Sequence, residues 1–212
     1  FQSGLSFFQP QRKVPNADIR FMGTRRGLDI RLVPEAGYPH VGFWSHPLNR
    51  KIDWRLATFT ILTLLSVSQA LFYFLRFRPK ALVVLGGFAS FSSAVAAYLL
   101  RIPILLHDEN VVPGVASRLI APLAARITVG FPGAQKYFKQ PTIVTGNPLR
   151  RQFFTVNRET ARHRLNVPMD AKVIVILGGS QGARALNQAA SALVALCVED
   201  PSLWVFHITG RQ

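Results

Sequence analysis

Between Ala81 and Gly114 the chain reads ALVVLGGFASFSSAVAAYLLRIPILLHDENVVPG, and this stretch restricts the possible fold most severely. An apolar run holding Val83, Val84 and Leu85 stops at Gly86-Gly87. A segment of small residues, Ser92 to Leu100, follows, and Ile102-Pro103 opens a second apolar run. The order is strand, glycine turn, helix, strand. Continuous apolar runs bounded by turn residues suit strands buried on both faces, as a parallel sheet covered by helices requires. The second run, Ile102 to Leu106, leads into His107-Asp108-Glu109-Asn110. Polar side chains are therefore expected just past the carboxyl end of a strand, the edge at which open α/β sheets bind ligands.

The rest of the chain repeats this alternation. Asp18 to Met22 alternates polar and apolar and predicts a short strand ending at Gly23-Thr24. Leu28 to Val33 reads as a helix stopped by Pro34, and Ala36 to Phe43 as an extended segment. Val115 to Ala125 predicts a helix, Ile127-Thr128-Val129 a strand broken by Phe131-Pro132-Gly133, and Thr142 to Thr145 a strand closing at Gly146-Asn147-Pro148. Phe1 to Asn16 has no period and reads as loop. The charged stretch from Arg150 to Asp170 separates two such blocks, which places a domain boundary between 149 and 150. Beyond it, Lys172 to Leu177 restarts the strand pattern, Gly178-Gly179-Ser180-Gln181-Gly182-Ala183 forms a second glycine turn, and Arg184 to Val198 and Trp204 to Ile208 supply a helix and a strand.

Leu56 to Leu75, LATFTILTLLSVSQALFYFL, carries no charge and is flanked by Arg55, Arg76, Arg78 and Lys80. At about 20 residues it meets the length criterion for a transmembrane helix. Its threonines, serines and Gln69 keep it only moderately apolar, and its place between two strands suits a βαβ crossover helix. Such a helix can also lay one face on a bilayer while basic flanks meet anionic headgroups. The crossover helix that touches membrane is the reading favoured over a wholly buried helix and a spanning one, with Phe72, Phe74, Leu75, Arg76 and Arg78 as membrane-facing candidates.

Composition narrows the partners. Hydrophobic residues make up 49% of 212, ample for a core, and the net charge of +15 against 10 acidic residues calls for an anionic partner. The arginines are spread without aromatic interleaving and no nucleic-acid signature is present, so a phosphorylated ligand or an anionic membrane surface is expected and nucleic acid is not. A single cysteine, Cys197, offers neither a disulfide framework nor a metal quartet, and no metal or cofactor is expected.

The two glycine turns, Gly86-Gly87 and Gly178 to Gly182, each join a strand to a helix. Glycine lets backbone N–H groups approach a ligand, and a helix N-terminus adds a positive dipole end, so each can hold a phosphate. The plainer alternative is a tight βα connection. Neither turn matches the dinucleotide or Walker fingerprint. Two turns, one in each half, suggest a ligand between domains. His107 to Asn110 could supply a base, a metal site, sugar hydrogen bonds or merely loop structure. Adjacent carboxylates on an extended segment point to opposite sides, so Asp108 and Glu109 cannot serve one centre as an acid and base pair. Asn110 suits a neutral sugar. Arg150, just after the rigid Gly-Asn-Pro turn, is a candidate for neutralising a diphosphate, whereas Arg151, Arg25 and Arg26 read more simply as solvated.

Gly146-Asn147-Pro148-Leu149-Arg150, the run from Gly178 to Asn187 (GGSQGARALN), and His107-Asp108-Glu109-Asn110 with Val112-Pro113-Gly114 after it together resemble the MurG family. Its members transfer N-acetylglucosamine from UDP-GlcNAc to undecaprenyl-diphosphate-muramoyl-pentapeptide, making lipid II for peptidoglycan. The resemblance runs from about Asp18 to Gly210 and implies a GT-B fold, two Rossmann-like parallel-sheet domains with the donor between them. It further implies a metal-independent, inverting transfer to the muramoyl C4 hydroxyl at the cytoplasmic face of the bacterial plasma membrane. By motif match, Asn110 would contact the donor sugar, Arg150 and Ser180 the groups near the diphosphate, with Gln181 and the amides of Gly179 and Gly182 assisting.

Three departures qualify it. The family's first strand and its Gly-Gly-Thr-Gly-Gly-His loop, whose His is the candidate base, should precede Asp18, and Phe1 to Asn16 does not match them. His-Asp-Glu-Asn stands where the family usually has His-Glu-Gln-Asn, and Gly86 to Ser92 differs from Gly-Gly-Tyr-Val-Ser-Gly-Pro. The uracil and ribose contacts would lie beyond Gln212. The chain lacks an initial Met and ends soon after a strand pattern, so both ends are expected to be cuts within a longer polypeptide, and the 212 residues alone are expected to be catalytically inactive. The alternatives are another GT-B glycolipid synthase or UDP-GlcNAc-using enzyme, or a non-catalytic nucleotide-sugar or membrane-binding module.

Overall fold

The computed structural model describes residues 17–25, 29–43, 55–149, 152–179, 182–197, 200 and 202–210. The chain divides into two compact units, residues 1–150 and 151–212.

In the first unit, β1 (Phe21–Thr24), α1 (Asp29–Glu35) and β2 (His40–Phe43) precede the long helix α2 (Arg55–Phe77). Then come β3 (Leu82–Val84), α3 (Phe88–Leu99), β4 (Ile104–Asp108), α4 (Val115–Ile120), β5 (Arg126–Val129) and β6 (Thr142–Val144). Strands β1 and β2 pair in parallel, and β3-β4-β5-β6 form a second, wholly parallel sheet in chain order. Helix α3 packs against α2, α4, β1, β3 and β4, which places it at the centre of the core. Its inward residues are small: Ser92, Ser93, Ala94, Ala96 and Ala97 are all buried, so neighbouring backbones can approach closely.

Strand β1 begins later than the alternation of Asp18 to Met22 predicts. The residues before it bind side chains instead: Arg20 pairs with Asp18 at 2.9 Å, donates to the Tyr73 hydroxyl at 3.2 Å and lies over the Phe77 ring at 4.1 Å. These contacts tie the start of the sheet to the end of α2. Strand β4 differs in the other direction. It runs on through His107 and Asp108, because His107 pairs with Thr128 and Asp108 with Val129 in the ladder, so these two polar residues lie within the sheet and not beyond it. Helix α4 is shorter than predicted: Pro122 turns the chain into a 3₁₀ segment, Ala121–Leu123.

Helix α2 is neither wholly buried nor evenly apolar. Ser66, Ala70 and Phe74, at helical spacing, face the core. The larger residues Ile61, Leu64, Leu65, Phe72 and Leu75 face outward, so the helix turns its small stripe inward and its bulky apolar stripe to the surface. Phe74 is therefore corrected: at 2% exposure it is a core residue and not a membrane-facing one. Phe72 and Leu75 are 73% and 61% exposed, and Arg76 and Arg78 are exposed beside them. By length and composition Thr60–Phe77 could cross a membrane. The helix stops where Arg78 adopts φ 53°, its N–H bonding the Phe74 carbonyl at 2.7 Å, before Pro79.

The second unit holds α5 (Gln152–Thr155), α6 (Arg158–Arg164), β7 (Lys172–Leu177), α7 (Arg184–Cys197) and β8 (Leu203–Ile208), with β7 and β8 parallel. Helix α6 is capped by the Asn157 side chain, which accepts from the Thr160 N–H at 2.8 Å. Strand β7 is covered on one face. Ile176 is buried, but Val175 and Leu177, on the alternate face, are each 62% exposed.

Candidate active-site edge

Because β3 to β6 all run in one direction, every loop that leaves a carboxyl end emerges at the same edge of the sheet. That edge gathers Gly86-Gly87, the end of β4 with Asn110, Gly130 after β5, and the turn Gly146-Asn147-Pro148 after β6. The sequence spreads them over some 60 positions, and the parallel topology brings them together.

Backbone and side-chain bonds sew the edge into one piece. Gly130 N–H donates to the Asp108 carbonyl at 2.8 Å and Thr145 N–H to the Val129 carbonyl at 3.0 Å. The Asn147 carboxamide donates to the Glu109 carbonyl at 3.1 Å. Asp108 is buried, and its Oδ1 accepts from the Asn110 N–H at 2.9 Å and the Asn110 side-chain amide at 3.2 Å. Its carboxylate thus shapes the loop, as the plainer reading of this polar run anticipated, and holds the exposed Asn110 at the sheet edge.

His107 is wholly buried, and its Nδ1 lies 2.9 Å from the Thr128 hydroxyl. Burial pushes its pKa below the ordinary imidazole value, against the opposing pull of Glu109 and Asp108. A group enclosed in this way cannot reach a substrate proton, so His107 is not the base that the sequence left open. Among the described residues no group of His, Cys, Asp or Glu could hold a metal ion.

At the first glycine turn both Gly86 and Gly87 have φ 84°, a conformation that favours glycine. Gly86 is also fixed by packing, since a Cβ there would sit 2.9 Å from Ser117 Oγ, whereas Gly87 is open and precedes the first residue of α3. In the second unit Gly179 and Gly182 have φ 77° and 74°. A Cβ on Gly182 would lie 2.1 Å from the Thr209 carbonyl oxygen, and the Gly182 N–H is taken by the Gly179 carbonyl at 3.1 Å. Gly182 therefore serves the turn itself and the approach of the segment after β8. Asn187 reinforces that approach, donating to the Thr209 carbonyl at 2.9 Å while His207 Nε2 lies 3.0 Å from its Oδ1. Arg150, Arg151, Ser180, Gln181 and Arg26 lie outside the described residues. Arg25 is described: it is exposed, as the solvated reading has it, and its Nε also donates to the Gly42 carbonyl at 3.2 Å.

Sequence reasoning missed Gly130 and gave Asn147 no role beyond its turn. A Cβ on Gly130 would lie 1.8 Å from Asn147 Oδ1, so the carboxamide occupies the space that this glycine leaves. A glycine directly after a predicted parallel strand was the available signal.

Residues 11–129 match the model of the glycosyltransferase family 28 N-terminal domain, more than half of the chain. The chain belongs to glycosyltransferase family 28. Two curated relatives of this family 28 chain, from Nitrosococcus oceani and Halothermothrix orenii, are each named UDP-N-acetylglucosamine–N-acetylmuramyl-(pentapeptide) pyrophosphoryl-undecaprenol N-acetylglucosamine transferase. They are 38% identical over 197 residues and 34% identical over 199 residues. The alignments cover 92% of this chain and 54% of each relative, so the chain spans about half the length of the curated relatives it matches. The crystal structure of Acinetobacter baumannii MurG superposes with a TM-score of 0.70 at 19% identity, over 99% of this chain and 64% of that one. A Neisseria meningitidis UDP-GlcNAc 2-epimerase bound to UDP-GlcNAc superposes with a TM-score of 0.61 at 13% identity, over 97% and 62%. The fold is thus the GT-B type implied by the glycine turns and the His-Asp-Glu-Asn run, and the MurG resemblance holds across nearly the whole chain.

Proposed function

We propose that this chain is part of an inverting transferase that moves N-acetylglucosamine from UDP-GlcNAc to the C4 hydroxyl of the lipid-linked muramoyl pentapeptide, giving lipid II. The observation that carries this reading is the identity of up to 38% over 92% of the chain with relatives of that name. In the reaction the acceptor C4 oxygen attacks the anomeric carbon of the donor sugar. The bond from that carbon to the diphosphate breaks and UDP leaves. The acceptor proton goes to a general base, a role for which the buried His107 is unsuited.

In this proposal Asn110 touches the donor sugar, positioned by the buried Asp108. Arg150, Ser180, Gln181 and the Gly179 amide neutralise or bond the leaving diphosphate, and Gly182 shapes the turn that presents them. The acceptor is anchored in a bilayer, and α2 offers a docking face in its outward stripe of Phe72 and Leu75 with Arg76 and Arg78. Each basic residue near an anionic surface contributes about 1 kcal/mol. The protein is then peripheral, on the cytoplasmic face of the bacterial plasma membrane.

The test compares this chain with a version extended through its genomic flanks, assaying transfer of labelled GlcNAc to a soluble lipid I analogue. Transfer by the extended protein alone is expected. Inactivity of the extended protein, with UDP-GlcNAc binding retained, would overturn the catalytic reading in favour of a recognition module. Sedimentation with phosphatidylglycerol vesicles tests the docking face. Phe72→Ser with Leu75→Ser should release the chain from vesicles without unfolding it, and unchanged binding would remove α2 from the proposal.

A further inference from the structure

One backbone oxygen in the second unit is held from two sides. The Thr209 carbonyl, directly after β8, accepts from Asn187 Nδ2 at 2.9 Å, and it lies so close to Gly182 that a Cβ there would overlap it. Asn187 stands in the first turn of α7, its own N–H on the Ala183 carbonyl at 2.8 Å. From β8, His207 brings Nε2 to 3.0 Å from Asn187 Oδ1. Because β7 and β8 are parallel, the glycine turn after β7 and the Thr209–Gly210 segment after β8 leave the sheet at one edge.

The atoms that meet fix the direction of each bond. A carbonyl oxygen only accepts, so the Asn187 atom facing Thr209 is the amide nitrogen, and Oδ1 turns toward His207. Oδ1 also only accepts, so His207 Nε2 carries a hydrogen. The neutral Nε2–H ring and the imidazolium both meet this requirement. The neutral Nδ1–H ring does not, since it would set two acceptors face to face. Donation therefore runs one way, from the His207 ring to the Asn187 carboxamide and from there to the Thr209 carbonyl. Held at both ends, the carboxamide cannot turn about its Cβ–Cγ bond without losing both contacts. Gly182, at φ 74°, and Asn187 thus form a notch for one oxygen: the missing side chain admits it and the carboxamide keeps it there.

We propose that Asn187 and His207 are positioning residues for the donor. By seating the Thr209 carbonyl on Gly182 they set the shape of the second glycine turn, and with it the affinity for the diphosphate of the nucleotide sugar. Both act through the turn and not on the donor itself, and His207 acts through Asn187. The assignment of the turn to the diphosphate rests on the reaction proposed above; the seating of the carbonyl does not.

The experiment has two arms. On this chain, nitrogen-15 NMR with labelled histidine and asparagine side chains should show His207 protonated at Nε2 and the Asn187 amide protons exchanging slowly with water. His207→Gln places an amide N–H near the Nε2 position and should keep that protection. His207→Asn, too short to reach, should speed the exchange roughly fivefold, the factor that loss of one bond of about 1 kcal/mol gives. In the version extended through the genomic flanks, calorimetry with UDP-GlcNAc should show an affinity weakened by a similar factor in His207→Asn and restored in His207→Gln. KM for the soluble lipid I analogue should be unchanged in both. A neutral Nδ1–H ring, or equal amide exchange in the Gln and Asn variants, would overturn the seating of the carbonyl. Seating intact, with equal UDP-GlcNAc affinities in the two variants, would overturn the positioning role. An extended wild-type protein that binds no UDP-GlcNAc refutes the proposed reaction and with it the donor role, while the first arm still decides the seating. The proton on the ring is read on the unmodified chain, so a variant that fails to fold leaves that decision in place.

Discussion

Replacing Gly130 with alanine probes the sheet edge through a single atom. The new Cβ would stand 1.8 Å from Asn147 Oδ1 and 2.7 Å from its Cγ, where ordinary contact begins at 3.4 Å. The carboxamide must therefore leave. Its bond to the Glu109 carbonyl is lost, about 1 kcal/mol, and buried polar partners are left without it, a further cost of about 1–3 kcal/mol. Removing a glycine also restricts the unfolded chain, which returns about 0.4–1 kcal/mol. The net expectation is a loss of about 1–3 kcal/mol, localised to the β4–β6 region. Asn147→Ala alone should cost a similar amount. In the Asn147→Ala background the obstructing atom is gone, so Gly130→Ala should be neutral or slightly stabilising. Urea unfolding combined with hydrogen-exchange mass spectrometry on the four proteins of this double-mutant cycle measures the coupling. Equal costs of Gly130→Ala in both backgrounds would refute the claim that Asn147 fills the space over Gly130.

The remaining predictions concern pH and packing. The His107 pKa is depressed in the folded state, so the unfolded chain binds more protons as pH falls below the ordinary imidazole value of about 6.5. Stability is then full above that pH and declines on acidification until the folded pKa is passed. Unfolding free energies at about pH 7 and 5 should differ, and His107→Gln should flatten the slope. Phe74→Ala should destabilise the first unit by about 3–5 kcal/mol, whereas Phe72→Ala should stay within about 0.5 kcal/mol, both read by urea unfolding. Gly182→Ala faces a positive φ and a backbone oxygen that cannot swing aside. It should cost about 2 kcal/mol or more, and hydrogen exchange should rise at the end of β8 while the first unit stays unchanged.

Much of the architecture was legible because the signals are local. Apolar runs, glycine turns and helix-period segments gave Lys172–Leu177 and the Ala81 to Gly114 unit, and a 3₁₀ turn replaced predicted helix where Pro122 removes a backbone donor. The burial of Phe74 was not legible. It occupies the same chargeless run as Phe72 and Leu75, and only the contact of α2 with the small residues of α3 decides which face turns inward. His107 and Asp108 were assigned to a loop because polar side chains end an apolar run. The ladder with β5 extends β4 through them, since a buried polar side chain is tolerated where a partner such as Thr128 or Asn110 meets it.

By itself, then, the sequence determined the alternation of strands and helices, the two glycine turns, the placement of Asn110 near a strand end and the resemblance that the family match bears out. It did so because periodicity, turn chemistry and motif identity are properties of neighbours along the chain. Packing in three dimensions set which stripe of α2 is outward, that His107 is enclosed beside Thr128, and that Gly130 makes room for the Asn147 carboxamide. These depend on residues some 20 to 40 positions apart meeting across parallel strands, a proximity that no local pattern encodes.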